Sequence, residues 1–174
     1  MRLFHVSEES GIMQFEPRLP ARADLDPTIG LVWAIDEHRL PNFLTPRNCP
    51  RVAYHIGPHT TPEDAARWFT SRTASHAVII ESAWLDAMRR AVLYLYEFEP
   101  AGFSLQDDVA GYYVAETAQT PVAVHRVDDL LAELLRCGVE LRMVDSLWDV
   151  ADRIKETSLN WSFCRMGFAQ PRRV

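Results

Sequence analysis

His5 and Ser7 stand two residues apart in the opening run Leu3-Phe4-His5-Val6-Ser7, so an extended backbone turns the imidazole and the hydroxyl to one face. A second strand-like run, Leu31-Val32-Trp33-Ala34-Ile35, carries an indole. A third, Tyr94-Leu95-Tyr96-Glu97-Phe98, leads through Glu99-Pro100-Ala101-Gly102-Phe103 to the paired acids Asp107 and Asp108. A histidine on one strand, an aromatic on a second and an acid beyond a third are the parts of a nicotinamide-ribose site. Each part also has an ordinary structural use. A strand histidine is commonly half-buried with its ring satisfying a neighbour, a strand tryptophan is core, and two aspartates can be a solvated loop.

The elements that must position these residues follow from periodicity and punctuation. Strands are expected at 2–7, 30–35, 51–56, 76–81, 92–98, 111–116, 121–127 and 139–144. A short helix is expected around 37–45, with Pro41 in its first turn, where a missing N–H costs nothing. Thr61-Pro62-Glu63-Asp64 is a helix start, with a hydroxyl cap, a proline at the first position and acids in the first turn. Ser82–Arg90 reads as a further helix. Asp128 is the expected cap of an amphipathic helix with Leu130, Leu131, Leu134 and Leu135 on its stripe and Gly138 as its stop. Ser146-Leu147-Trp148-Asp149 reads as a capping box opening a helix to about Glu156. The aromatic tail, with Trp161, Phe163 and Phe168, is expected to dock on the body. Strands outnumber helices and do not alternate strictly with them. The expected class is therefore α+β, with a mixed, largely antiparallel sheet and flanking helices in one globular domain over residues 1–174.

Composition sets the outer bounds. A 48% apolar and 24% charged chain of 174 residues can bury a core without staples, which excludes wholesale disorder. A net charge of −6 argues against a general nucleic-acid-binding surface. Cys49, Cys137 and Cys164 are odd in number and lack CxxC spacing, so neither a disulfide framework nor a zinc ribbon is expected, and a reducing cytoplasm is. No run approaches the ~20 apolar residues of a membrane span. The seven glycines, at 11, 30, 57, 102, 111, 138 and 167, form no GxGxxG or phosphate-cradling loop. His55 and His59 are separated by Gly57-Pro58, which prevents the helix that would aim both at one metal, so no metal is expected. Cys49 lies between Arg47 and Arg51, whose charges would lower its thiol pKa, but the spacing supplies it with no base.

The order of these pieces resembles the ADP-ribosyltransferase superfamily, which includes the RNA 2′-phosphotransferases. Phe4-His5-Val6-Ser7 is similar to its first strand, Gly11-Ile12 to a following loop, and Val32-Trp33-Ala34 to its aromatic-bearing strand. Tyr96-Glu97-Phe98-Glu99-Pro100-Ala101-Gly102-Phe103, followed by Asp107-Asp108, looks like a turn of the small rifampin-type enzymes. Val6 stands where a glycine is usual and Trp33 where a tyrosine is usual, and the stretch from Thr45 to Arg90 is an insertion relative to those enzymes. The whole chain also resembles a bacterial family without an assigned activity, through Phe15-Glu16-Pro17-Arg18 and Pro46-Arg47-Asn48-Cys49-Pro50-Arg51.

The resemblance implies an ADP-ribosyltransferase-like core that uses NAD as co-substrate to modify a small molecule, a nucleic acid or a protein. It implies that His5, with help from Ser7, orients the ribose, that Trp33 stacks on the nicotinamide, and that Arg18 pairs with the pyrophosphate. Asp107 or Asp108, with Glu116 as fallback, would stabilise the oxocarbenium-like centre. His5, Ser7 and Trp33 are then expected to line one concave pocket. Two other readings remain open: a non-catalytic nucleotide- or peptide-binding module, and an RNA 2′-phosphotransferase-like enzyme.

Overall fold

The computed structural model describes residues 1–20 and 24–172. Residues 21–23 and 173–174 lie outside the described residues. In chain order the strands are β1 (Leu3–Ser7), β2 (Val32–Asp36), β3 (Arg51–His55), β4 (His76–Glu81) and β5 (Leu93–Phe98). They continue with β6 (Ser104–Asp107), β7 (Tyr112–Ala115), β8 (Ala123–Val127), β9 (Glu140–Val144) and β10 (Asn160–Cys164). The α-helices are α1 (Pro62–Trp68), α2 (Leu85–Arg90), α3 (Leu130–Arg136) and α4 (Trp148–Ile154). The class is α+β with largely antiparallel sheets, as the patterning indicates. The chain groups into two compact units, one comprising 1–43 and 93–127 and the other 44–92 and 128–174, each built on its own sheet.

The first unit holds a six-stranded sheet in the order β6-β7-β2-β1-β5-β8, antiparallel throughout. β1 pairs with β5 along its full length, Leu3 with Phe98 through to Ser7 with Tyr94. Leu3, Ala34, Tyr96 and Phe98 form the buried cluster on one face, with Ile12 and Phe15 packed against it. Each fully buried side chain of this size contributes about 1.5–3 kcal/mol relative to exposure.

The second unit holds a four-stranded sheet in the order β10-β3-β4-β9, in which only the β4–β9 pair is parallel. β4 is paired on both edges and every one of its six residues is buried, which explains its unbroken apolar run. Val52, Tyr54, Ile79, Leu147 and Ile154 make its core. α1 starts as expected: Thr61 Oγ1 accepts the Asp64 N–H at 3.2 Å, and Pro62 occupies the first turn. α3 is capped by Asp129, not Asp128, through the Ala132 N–H at 2.9 Å. Gly138 follows that helix at φ +71°, the left-handed turn-off that glycine tolerates best. The helix expected over Ser82–Arg90 is a 3₁₀ turn (Ser82–Trp84) followed by α2, and the helix around Pro41 is a 3₁₀ turn, Leu40–Phe43. The aromatic tail docks as β10, pairing Trp161 with Tyr54 and Phe163 with Val52. Within the same unit, the buried Glu81 carboxylate accepts the Gln170 N–H at 3.0 Å.

Candidate functional site

β1 and β2 pair only at Leu3 with Asp36 and Phe4 with Ile35. Continued by the same register, the ladder would set His5 against Ala34 and Val6 against Trp33. Instead the strands part, and the His5 imidazole lies at the fork with Nδ1 2.9 Å from the Trp33 carbonyl oxygen. A carbonyl only accepts, so Nδ1 carries the proton and the neutral ring presents Nε2 as an acceptor. Nε2 has no hydrogen-bond partner among the described residues. The Phe15 ring packs against the imidazole, 4.8 Å between centroids. Burial, opposed by the Trp33 hydrogen bond and assisted by the Arg18 charge, holds His5 below the ordinary histidine value. The ring is therefore neutral at pH 7.

Trp33 belongs to the other face. Alternation along β1 and β2 places Trp33 and Ile35 with Phe4 and Val6, whereas His5 shares its face with its partner Tyr96. The indole meets Tyr112 edge to face at 5.3 Å, and Tyr112 meets Phe43 at 5.7 Å. These rings, with Phe4, Val6 and Ile35, line a half-open cavity of about 110 Å³ that His5 and Ala34 also border. A cavity of ~150 Å³ holds benzene, so this one is the size of a single small ring and not of a dinucleotide.

The wall of His5, Ser7 and Trp33 expected from sequence therefore forms differently. His5 and Trp33 border one cavity but send their side chains to opposite faces, because their register positions differ by one residue. Ser7 shares the His5 face but is not among the cavity residues, and its Oγ accepts the Glu9 N–H at 3.0 Å. Arg18 exchanges two backbone hydrogen bonds with Leu31, at 3.1 and 2.9 Å, and its exposed side chain sends its charge toward His5.

The three acids stand apart from the cavity. Asp107 closes a turn through the Ala110 N–H at 2.9 Å. Asp108 is exposed and its charge acts on Arg39, whose pKa burial lowers while Asp36 and Asp108 oppose the shift. Glu116 is exposed just past β7.

Two other residues singled out in the sequence can be placed. Cys49 is buried, and burial pushes its thiol up to about 12 despite the Arg51 charge. The Arg51 guanidinium donates to the Cys49 carbonyl at 3.0 Å, so it serves the backbone and not a thiolate. His55 is buried beside its β4 partner His76, with rings 5.9 Å apart, and its Nε2 lies 3.2 Å from Asn160 Nδ2. Among the described residues no group of three His, Cys, Asp or Glu side chains is arranged to hold a metal.

Sequence reasoning missed Phe15, Phe43, Tyr96 and Tyr112. A signal existed for Tyr96, which falls at the alternating position two residues from Tyr94 and Phe98. Phe15 sits in an irregular segment and Phe43 ends a single 3₁₀ turn, both too short for periodicity to carry information.

Fold and site together define an α+β protein with a ring-sized aromatic cavity where two strands of its larger sheet fork. The chain belongs to the DUF6886 family, described as a family of unknown function, whose model matches residues 4–169. Neither the curated proteins nor the solved structures yielded a match. Among the described residues no helix is long and apolar enough to cross a membrane.

Proposed function

We propose that the protein is ADP-ribosyltransferase-like and engages NAD at the fork between β1 and β2. The observation that carries this reading is the small aromatic cavity at the fork, on the Trp33 face of the sheet; His5 borders it, although its imidazole turns to the other face. Its aromatic walls suit the flat face of a nicotinamide ring entering from the mouth of the cavity. Every residue that carries the resemblance falls in the first unit, and the stretch from Thr45 to Arg90, read as an insertion, falls in the second. The acceptor class is a small molecule, a nucleic acid or a protein.

One observation favours the non-catalytic alternative, a nucleotide-binding module. Asp107, Asp108 and Glu116 all stand outside the cavity, so no carboxylate faces the place where a sugar cation would develop.

Titration with NAD and with nicotinamide, followed by calorimetry and thermal unfolding, tests the shared part of both readings. At a hundredfold excess over Kd a ligand bound only by the folded state adds about 2.7 kcal/mol. Stabilisation by NAD that Trp33→Ala abolishes is the expected result, and a flat response up to millimolar NAD removes the dinucleotide altogether. Release of nicotinamide from bound NAD separates the enzyme from the binding module.

A further inference from the structure

The rings around the cavity stand across one another. Trp33 meets Tyr112 at 84° and Tyr112 meets Phe43 at 65°, and all three border the cavity together with Phe4. Where one ring stands edge-on upon another, their two faces form a corner. A group seated in that corner lies against two π faces, each the negative side of an aromatic quadrupole. Such a place attracts a cation. Phe4 already receives one, since the Arg2 guanidinium lies over its ring at 4.9 Å. Arg2 is itself neutralised by Glu97, whose carboxylate it holds at 2.7 and 2.6 Å.

The composition of the lining narrows the kind of cation. Among the described residues, no aspartate, glutamate, lysine or arginine lines the cavity. The Trp33 carbonyl is already held by His5 Nδ1 at 2.9 Å. An ammonium or guanidinium group would bury N–H donors there with no carboxylate to receive them, which is costly. A pyridinium or a quaternary ammonium carries its charge without N–H groups and avoids that cost.

We propose that the cavity selects its occupant by charge and takes a cation without N–H groups, which on the NAD reading is the pyridinium ring of the oxidised dinucleotide. The identity of the ligand rests on that reading, whereas the preference for charge rests on the rings. Two relatives of this ring are neutral: free nicotinamide, and the reduced ring of NADH. The protein therefore distinguishes the oxidised from the reduced dinucleotide, which differ at this ring by one hydride.

Calorimetric titration of the full chain tests this with two pairs of probes. One pair is 1-methylnicotinamide and nicotinamide, a cation and a neutral ring of similar shape, and the other is NAD and NADH. The charged member of each pair is expected to bind about tenfold more tightly, the scale of a desolvated cation–π contact. Trp33→Leu keeps an apolar wall without a π face and is expected to bring the paired affinities within about twofold, while Trp33→Phe keeps most of the preference. Phe43→Leu, at the end of a 3₁₀ turn outside the sheet, repeats the test without touching a strand.

Equal affinities within both pairs, or a preference that survives in both leucine variants, would overturn the proposal, as would no binding of any of the four probes. Selective binding of 1-methylnicotinamide without binding of NAD upholds the cation site and removes the NAD reading. NAD and NADH bound alike, with nicotinamide equal to its methylated form, upholds the dinucleotide and removes the selection by charge.

Discussion

His5 holds the carbonyl of Trp33, the group that would have faced Val6 had the two strands stayed paired. The imidazole therefore acts as a wedge that replaces a rung of the ladder. Replacing His5 by Phe keeps a planar ring but leaves that carbonyl without its donor. The expected loss is about 1–3 kcal/mol, the usual range for a part-buried polar group left unmade, read by denaturant unfolding. His5→Asn retains a donor and is expected to recover part of the loss.

The same residue sets a pH dependence. Burial lowers His5, so between its folded value and the ordinary value near 6.5 the unfolded chain holds more protons than the native one. Stability then rises with pH across that window. The contribution is fully present above about pH 6.5 and is lost as the pH falls toward the lowered folded value. A His5→Asn variant should unfold with less pH dependence in that range, and equal slopes in the two proteins would refute the assignment.

Glu97 works in the opposite half of the acid range. The Arg2 guanidinium grips its carboxylate at 2.7 and 2.6 Å, and His125 Nε2 lies 2.9 Å away. These partners, Arg2 foremost, hold Glu97 down at about 2. The carboxylate is bound more tightly folded than unfolded, so its stabilisation is present above the ordinary glutamate range and fades as the pH drops toward 2. Glu97→Gln should remove that part of the acid transition by lowering stability near pH 7, by up to about 1 kcal/mol for a solvated ion pair, while leaving stability near pH 2 unchanged.

Cys49 should be chemically silent. With its thiol pushed up to about 12 and its side chain buried, a thiol reagent at pH 8 should modify exposed Cys137 and spare Cys49 until the protein unfolds. Mass mapping of the labelled chain settles it, and early labelling of Cys49 would contradict the burial described here. Cys49→Ser is likewise expected to leave any NAD turnover unchanged.

If nicotinamide release is observed, the acid becomes the next question. The carboxylate would then have to swing in from outside the cavity, and the Asn variant of whichever of Asp107 or Asp108 does so is expected to lower the rate by roughly 10²–10³, the scale of removing one electrostatic stabiliser. Dependence on Glu116 instead keeps the chemistry and moves the acid past β7. Indifference to all three favours the binding module.

Local features were legible in the sequence where one residue type had one use. The apolar run Ala77–Ile80 lies in a strand, His76–Glu81, buried on both faces, and Thr61-Pro62 starts a helix at that residue. Asp128 and Asp129 are chemically alike, and only the backbone decides which one caps. β6 was missed because its single apolar residue, Leu105, is 52% exposed on an edge strand, which leaves no alternation to read. The fork was illegible for a different reason. Nothing in Leu3–Ser7 or Val32–Asp36 says that pairing stops after Phe4, and that stop decides which side chains share the cavity.

The interleaving of the two units has a consequence for the order in which the chain is made. β1 and β2 emerge first, yet their outer partners β5 and β7 come only after β3 and β4 have been synthesised. β3 and β4 must in turn wait for β9 and β10, which complete their sheet from the last third of the chain. A nascent chain halted at residue 127 would hold every strand of the first sheet and only half of the second. Neither unit can be released by a single cut, and a stalled ribosome would carry two unfinished sheets with open edges for most of translation.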